Sequence, residues 1–457
     1  MEFQSLWLQR FFLVRINHGY SDTGTWNPTT GNLVRQALHW VKILLSNCQQ
    51  HFLSFLCAVK VLILHQHFKT PQPGGAIRSY YLAKALVEKG ICTVVITAHN
   101  GPSIKKEVLE GIEILYLPVR YDNRYGFSKR ILSFLRFVVQ SVRMASHYRD
   151  ANLCYAISTP LTTGMAARFI RRYFGIPYIF EVGDLWPDAP VQMGFVSNTF
   201  IKNILYRMEK AIYRSASSVV ALSIPIREAI VAKAPEKTVH VVPNMSDLDF
   251  FKPKEKRSAF EEKFEVKGKF VVSYIGAFGV ANGLYYFLDC AAACQRAALP
   301  IHFILCGDGA MVNALKRYGE KLVLNNFSLI PFQNRDGVAA ILNVTDANFI
   351  CYQPANILET GSPNKYFDGL AAAKLTIINF GGWIKEEIEK EACGFSVDPI
   401  DAEDFVRKIR PFLHDHQLLT AYQCAGRKLA EREYSRKMLA ERFVGIVERE
   451  IQDTETP

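Results

Sequence analysis

The sequence predicts an α/β protein with two doubly wound, Rossmann-like domains that face a cleft, followed by C-terminal helices. Two series of apolar β-like runs alternate with amphipathic helical patterns, and a charged segment of weak periodicity separates the two series. Apolar strands that alternate with helices are typical of parallel sheets covered on both faces. The length of 457 residues also suits two domains. Such domains bind ligands at the carboxyl ends of their strands.

Residues 1–58 are an extension of uncertain status. They carry few charges, and their start lacks the basic region and single apolar block of a signal peptide. One interpretation is a misassigned start, with the native start near Val59. The other is a peripheral membrane-binding arm, whose interfacial side chains would be Trp7, Phe11, Phe12 and Trp40.

The predicted first domain spans residues 59–246 and begins with the strand pattern "VKVLILHQHF". Gly74 and Gly75 lie in the turn that follows, where paired glycines let the backbone approach a phosphate or a sugar, although a plain flexible loop has the same pattern. Glu181 and Asp184 come at the end of a later strand, in "FEVGDLWPDAP". A carboxylate in an apolar strand costs free energy unless it is paired, so this position favours a site.

The net charge of +11 suits three anionic partners: nucleic acid, a membrane surface or a phosphorylated substrate. The sequence has no nucleic-acid-binding motif, which ranks nucleic acid last. A basic helical pattern over residues 120–149 predicts a membrane-surface helix with Arg130, Arg136 and Arg143 on the anionic lipids. The alternative is a helix that packs its apolar face on the sheet, a face predicted to hold Phe127, Ile131, Phe134, Leu135, Val138 and Val142.

Residues 247–268 form the charged predicted linker, and the predicted second domain spans residues 269–430. Its first turn, "SYIGAFGVANGL", contains Gly276 and Gly279, which suit a loop around one diphosphate. The spacing is not the GxGxxG of a dinucleotide site, so nicotinamide binding is only weakly indicated. Lys316 follows the "GDG" turn and is either a ligand of the same anion or a solvated charge. Residues 431–457 are predicted to form a C-terminal helix that packs back on the first domain.

The stretch "ETGSPNKYFDGLAAAKLTIINF" predicts a helix start followed by a strand. Ser362 is the expected capping hydroxyl, Pro363 has no amide donor to lose, and the free backbone N–H groups begin at Asn364. Such an end attracts anions, because its donors are unpaired and the helix dipole is positive there. Lys365 adds a positive charge, and Asp368 would project near the same opening one turn later.

The ten cysteines are scattered singly, without a CxxC pair. This pattern predicts buried thiols in a reducing compartment and no disulfide or zinc framework. The sequence also lacks an apolar run long enough for a transmembrane helix.

These motifs together resemble glycosyltransferase family 4, retaining enzymes of the GT-B fold, from Val59 to about residue 450. The elements that carry the resemblance are the Gly74–Gly75 loop, "EVGDLWP", "PNMSDLDFF", "GAFGVANG", "GDG", "SPNKYFDGLAA" and "GGW". The branch that it resembles contains bacterial enzymes of O-antigen, capsule and exopolysaccharide assembly, including N-acetyl-L-fucosamine transferases.

The resemblance implies that the helix start at Ser362 receives the diphosphate of a nucleotide sugar, a UDP-sugar above all, and that Asp368 holds the ribose. The family's first motif glutamate matches Thr360, with Glu359 one residue away. Ala277 and nearby Asn282 stand where many relatives place an arginine and a lysine.

The resemblance further implies metal-free, cofactor-free transfer of an N-acetylated or deoxy hexose to a polyprenyl-diphosphate-linked saccharide, on the cytoplasmic side of the bacterial plasma membrane. The expected catalytic residues are Glu181, Asp184, Glu359 and Lys365. The expected donor-binding residues are Gly75, Gly276, Gly279, Asn282, Lys316, Ser362, Pro363, Asn364 and Asp368. Two alternatives stay open: a sugar-nucleotide isomerase or epimerase of the same fold, and a non-catalytic nucleotide-sugar-binding partner. A nicotinamide oxidoreductase is more distant.

Overall fold

The computed structural model describes residues 59–72, 74–75, 77–122 and 125–455, so the expectations for residues 1–58 lie outside the described residues. Within this part, an eight-stranded sheet has the order β3-β4-β2-β1-β5-β6-β7-β8. Its strands are β1 (Lys60–Leu64), β2 (Cys92–His99), β3 (Lys105–Leu109), β4 (Ile112–Pro118), β5 (Leu153–Ile157), β6 (Tyr178–Val182), β7 (Val219–Ala221) and β8 (Val239–Val241). Only β3 pairs antiparallel, with β4.

Helices cover both faces of this sheet. They are α1 (Arg78–Glu88), α2 (Phe127–Ala145), α3 (Thr162–Phe174), the short α4 (Asp188–Gln192), α5 (Thr199–Ser215) and α6 (Ile224–Lys233). One face packs against α2, α3, α5 and α6. The opposite face packs against α1 and against the last helix of the chain.

The second sheet is entirely parallel and has the order β11-β10-β9-β12-β13-β14. Its strands are β9 (Phe270–Ala277), β10 (Ile301–Asp308), β11 (Phe327–Pro331), β12 (Ala347–Ile350), β13 (Leu375–Ile378) and β14 (Gly394–Ser396). This is the Rossmann strand order. Successive strands are added on one side of the first strand up to the third, and on its other side from the fourth strand onward. The reversal between β9 and β12 places the ligand crevice at their carboxyl ends.

The remaining helices precede, surround and follow this sheet. They are α7 (Ser258–Lys263), α8 (Tyr285–Arg296), α9 (Val312–Lys321), α10 (Arg335–Val344), α11 (Asn364–Ala371), α12 (Trp383–Lys390), α13 (Ala402–His414), α14 (His416–Glu433) and α15 (Arg436–Glu455). The predicted linker therefore contains a short helix, α7. The last helix, α15, packs against α1 and β5 of the first sheet.

Local sequence fixes several helix starts. The Asn198 side chain accepts hydrogen bonds from two backbone amides at the start of α5, and Ser223 caps α6 through the amide of Ile226 at 3.2 Å. Capping side chains satisfy amides that have no partner inside the helix. Among the described helices, none combines the length and the low charge that a membrane-spanning segment needs.

One cysteine departs from the predicted pattern. The free cysteines of the described residues are Cys154, Cys290, Cys294, Cys306, Cys351, Cys393 and Cys424. Cys92 is disulfide-bonded, so the expectation of free thiols was wrong at this position. Pairing requires only that two sulfur atoms meet in space, which the spacing of single cysteines does not reveal.

Candidate active site

Two glycine backbones form the floor of the candidate site at the carboxyl ends of β9 and β10. A Cβ atom on Gly307 would lie 1.8 Å from the carbonyl oxygen of Gly276, and one on Gly276 would lie 3.0 Å from Cε of Lys365. Both glycines also have φ near +155°, a region that side chains rarely adopt. Glycine at these positions lets the two strand ends and Lys365 converge.

The start of α11 lies above this floor and is held by the segment that connects the two sheets. The hydroxyl of Ser362 accepts a hydrogen bond from the Asn244 amide at 3.2 Å, and its carbonyl accepts one from the Asn244 side chain. Pro363, not Ser362, is the N-cap, and no side chain caps the helix. Ser362 is therefore a positioning residue rather than the predicted capping group. The N–H groups of Asn364 and Lys365 have no acceptor among the described residues, so they can receive an anion.

Lys365 brings a positive charge to this point. Its ammonium donates to the Tyr274 hydroxyl at 3.0 Å and lies 4.4 Å from the centre of the Tyr274 ring. Burial lowers the pKa of Lys365 to about 8. Among the described residues, no acidic side chain forms an ion pair with it, so its charge is available to an anionic ligand.

Asp368 is half-buried one turn further along α11. Burial and the charge of Asp247 raise the pKa of the Asp368 carboxyl group to about 7, although Arg335 acts in the opposite direction. Its carboxylate has no hydrogen-bond partner among the described side chains. It is therefore free to accept hydrogen bonds from hydroxyl groups of a ligand.

Asp184 of the first domain lies close enough to Tyr352 of the second domain for its charge to act on the Tyr352 hydroxyl. Its side chain is exposed, yet the surrounding protein raises the pKa of its carboxyl group by desolvation. Burial and the charge of Asp184 together raise the pKa of the Tyr352 hydroxyl on the second domain. The Lys365 ammonium lies 5.9 Å from the centre of the same Tyr352 ring. Asp184 and Lys365 therefore both lie near the Tyr352 side chain.

Glu181 is buried and paired inside the first domain, a position that favours a structural role over the predicted catalytic one. It is 1% exposed and accepts hydrogen bonds from Arg78 at 2.9 Å and from the Tyr155 hydroxyl at 2.5 Å. Arg78 also donates to the carbonyl oxygens of Val242 and Pro243. The carboxylate is thus paired inside the fold and connects β6 to the segment between the sheets.

Glu359 lies in a 3-10 turn at residues 356–360. Its carboxylate accepts a hydrogen bond from the Gly381 amide at 3.2 Å and lines a cavity of about 630 Å³. The neighbouring Thr360 hydroxyl donates to Ile357 in its own turn, at 2.8 Å. The Glu359 carboxylate is therefore hydrogen-bonded to the loop at Gly381, and the Thr360 hydroxyl is hydrogen-bonded within its own turn.

The other predicted donor-binding residues lie in separate parts of the structure. Gly75 has open space beside it, while Gly74 lies against the backbone of Asn334. Asn282 belongs to a 3-10 turn that follows Gly279. Lys316 is exposed on α9 and has no ion pair among the described residues, as expected for a solvated charge.

The basic helix is α2, but its faces differ from the prediction. Ile131 and Leu135 point outward, exposed by 39% and 45%, whereas Phe137 is fully buried. Arg136 and Arg143 are exposed on the outward side, and Arg130 donates to the Tyr125 carbonyl at 2.9 Å. Ser133 and Ser141 share the inner side with Phe137 and Val138, whereas Leu132 and Val139 are exposed with Ile131 and Leu135.

The structure contains a charge cluster around Asp247 that was not predicted from the sequence. Its carboxylate accepts hydrogen bonds from Arg335 at 2.5 Å, Arg436 at 2.7 Å and Tyr81 at 3.1 Å. These partners lie on α10, α15 and α1, so no local sequence signal joins them.

Two protein-family models match consecutive segments of the chain. The glycosyl transferase 4-like domain matches residues 74–245, and glycosyl transferases group 1 matches residues 255–429. The chain belongs to the glycosyltransferases. The first match contains the strands β2 to β8 of the first sheet, and the second match contains all six strands of the second sheet.

Individual relatives agree with this assignment. The chain is 22% identical over 377 residues to the probable glycosyltransferase WbjE of Pseudomonas aeruginosa, covering 80% of this chain and 92% of WbjE. Sucrose-phosphate synthase of Thermosynechococcus elongatus has a TM-score of 0.71 at 16% identity, covering 87% of this chain and all of that chain. Anabaena HepE, solved with UDP-glucose, has a TM-score of 0.64 at 17% identity, and the match covers 85% of this chain and 99% of the HepE chain. The architecture is therefore that of GT-B glycosyltransferases.

Proposed function

We propose that this glycosyltransferase moves a sugar from a nucleoside-diphosphate sugar, a UDP-sugar above all, to a saccharide acceptor, with retention of configuration and without a metal. The ammonium of Lys365 carries the proposal, because it lies beside the open amides of α11 and has no acidic partner in the part of the chain that the structure describes. A diphosphate would supply the missing negative charge. The crystal structure of HepE with UDP-glucose supports a ligand of this class for the fold.

In this proposal, the diphosphate lies on the Gly276 floor beside Lys365, and Asp368 accepts hydrogen bonds from the ribose hydroxyls. As the bond from the anomeric carbon to the phosphate oxygen breaks, Lys365 and the α11 dipole stabilise the charge on the leaving group. The acceptor hydroxyl forms its new bond on the same face of the sugar and passes its proton to the leaving phosphate. Asp184 would orient that acceptor from the first domain.

We further propose a polyprenyl-diphosphate-linked saccharide as the acceptor and an N-acetylated or deoxy hexose as the transferred sugar. The net charge of +11 and the exposed arginines of α2 favour a site on the anionic inner surface of the plasma membrane.

Thermal unfolding with UDP, GDP, ADP or NAD, each with and without EDTA, tests the donor site. A ligand at 100 times its dissociation constant should add about 2.7 kcal/mol. We expect an EDTA-insensitive shift with one nucleoside diphosphate that is lost in Lys365→Ala and kept in the control Lys390→Ala, an exposed lysine of α12. A shift with NAD alone would refute the proposal. Product analysis then separates transfer, which lengthens an acceptor, from isomerisation, which changes only the donor.

A further inference from the structure

A cluster of charged and aromatic side chains joins the two domains beside the connecting segment. Tyr81 lies on α1 of the first domain, Arg335 begins α10 of the second domain, and Asp247 lies in the connecting segment. The Tyr81 hydroxyl donates to the Asp247 carboxylate at 3.1 Å and accepts a hydrogen bond from Arg335 at 2.8 Å. Arg335 and Arg436 also donate to Asp247, at 2.5 and 2.7 Å. These four residues are called the junction below.

The connecting segment changes its partners just before the junction. Arg78 of the first domain donates to the carbonyl oxygen of Pro243. Three residues later, Ser246 donates its hydroxyl to a backbone carbonyl of α11 at 2.8 Å. Asp247 follows Ser246 directly, so its backbone belongs with the second domain. The two hydrogen bonds of the Tyr81 hydroxyl, to Asp247 and from α10, therefore cross from one domain to the other.

The junction is enclosed by protein. The side chains of Asp247 and Arg335 are 7% and 15% exposed. The Arg335 guanidinium lies 3.9 Å from the centre of the Phe250 ring, and the Arg436 guanidinium lies 4.3 Å from the centre of the Tyr81 ring. In such surroundings a hydrogen bond to a charged group is stronger than one in water. The junction therefore resists a rotation of the domains about the connecting segment.

Gly74 lets the two domains approach each other at the same place. A Cβ atom on Gly74 would lie 3.3 Å from Cα of Asn334 and 3.4 Å from the backbone nitrogen of Arg335. Its φ of +73° also lies in the region that side chains rarely adopt. Gly75 has a φ of +97°, but a Cβ atom there would have no described atom within 4 Å. The close approach that the paired glycines allow is therefore made, at Gly74, by the backbone of the other domain.

We propose that the junction and the Gly74 contact form a latch between the domains, and that releasing this latch lets the cleft open. Ser246 connects the latch to α11 through the carbonyl of Phe367, the residue before Asp368. A latch at this place holds the start of α11 at a fixed distance from the first domain, which carries Asp184. This positioning of the donor rests on the proposed function, whereas the latch between the domains does not.

Small-angle X-ray scattering of the full-length chain tests the latch. Tyr81→Phe removes both hydrogen bonds of the hydroxyl and keeps the ring that Arg436 contacts. The matched control is Tyr148→Phe, which removes a hydroxyl that donates to Glu113 inside the first domain. The loss of a hydrogen bond to a charged group changes an equilibrium about tenfold or more. We expect a larger radius of gyration for Tyr81→Phe than for the wild type, and the wild-type radius for the control.

A second pair of variants separates the contact between the domains from backbone strain. Gly74→Ala and Gly75→Ala both place a side chain at positive φ, but only the Cβ atom at position 74 meets α10. We expect the larger radius for Gly74→Ala alone. Wild-type radii for both Tyr81→Phe and Gly74→Ala would overturn the proposal. Larger radii in the two controls as well would also overturn it, because the expansion would then not depend on the latch.

Thermal unfolding of the same variants separates the latch from the donor site and from simple stabilisation. Lys365 and the open amides of α11 belong to the second domain, so Tyr81→Phe should keep a UDP-induced shift of its melting temperature. The absence of this shift from the wild type would refute the proposed donor site and leave the scattering result to decide on the latch. A Tyr81→Phe protein that melts lower but keeps the wild-type radius would show that the junction only stabilises the fold, and would overturn the latch.

Discussion

Replacing Glu181 by glutamine tests whether this carboxylate stabilises the fold or takes part in chemistry. Its partner Arg78 is 8% exposed, and both side chains are enclosed by β5, β6 and the segment at residues 242–243. The substitution preserves the shape but leaves the guanidinium charge without a counter-ion. Breaking one partner of a buried ion pair costs about 3–5 kcal/mol. A domain of this size should then unfold roughly 10 °C lower.

Thermal unfolding and sugar transfer should be measured on Glu181→Gln beside Asp184→Asn. Asp184 is exposed, and desolvation already raises the pKa of its carboxyl group, so its amide should leave the melting temperature unchanged or slightly higher while transfer falls. A Glu181→Gln protein that melts like the wild type but has lost transfer would refute the structural role assigned here. That result would indicate that Glu181 takes part in the transfer reaction.

Three further predictions concern the donor site. Because the pKa of Asp368 is raised to about 7, calorimetry should show UDP affinity falling from pH 8 to pH 6 in the wild type and changing less in Asp368→Asn. Folding raises this pKa, so the charged carboxylate destabilises the protein above neutral pH, and Asp368→Asn should melt higher than the wild type at pH 8 but not at pH 4. Lys365→Met should weaken UDP binding by about tenfold or more below pH 8, where the ammonium is charged, and by less at pH 9; an equal loss at both pH values would contradict the charge-based role. Asn244→Ala should weaken UDP binding by about 1–3 kcal/mol, because the Ser362 carbonyl before α11 loses the hydrogen bond from the Asn244 side chain, and unchanged affinity would show that α11 holds its position without this bond.

The two sheets were predictable because most of their strands are apolar, although the charged edge strand β3, with the sequence KKEVL, is an exception. A segment such as "FVVSYIGA" has apolar side chains on both faces of the strand, and these are buried only when helices cover both faces of the sheet. The start of α11 was equally predictable, because proline and asparagine after a small residue are typical of a helix start. Contacts between residues that are distant in sequence were not predictable. The sequence marked Glu181 as costly but could not show that Arg78, more than a hundred residues earlier, neutralises it.

The outward turn of α2 illustrates a different limit. Periodicity identified an amphipathic helix, but apolar residues cover much of its circumference, and two serines interrupt the side that packs inward. Which arc meets the sheet is decided by the shape of the sheet and by its neighbour α3. The exposed start of α5 escaped notice for a related reason. Phe200, Ile201 and Ile204 have the spacing of a core-facing stripe, and only the tertiary structure shows that α5 reaches the core with its C-terminal half, at Ile212 and Tyr213.

The hydrogen bonds of the connecting segment locate the boundary between the two domains more finely than composition does. Arg78 of the first domain holds the carbonyl oxygens of Val242 and Pro243, whereas the next residue, Asn244, is bonded to the start of α11. The returning chain runs alongside, since the Ser246 amide donates to the Tyr434 carbonyl at 2.8 Å. A rotation between the sheets therefore breaks the fewest of these bonds if it occurs between Pro243 and Asn244. The start of α11 would then move with the second domain as the cleft closes, and Asp184 would stay with the first, so closure would change the separation between the donor phosphate and the acceptor.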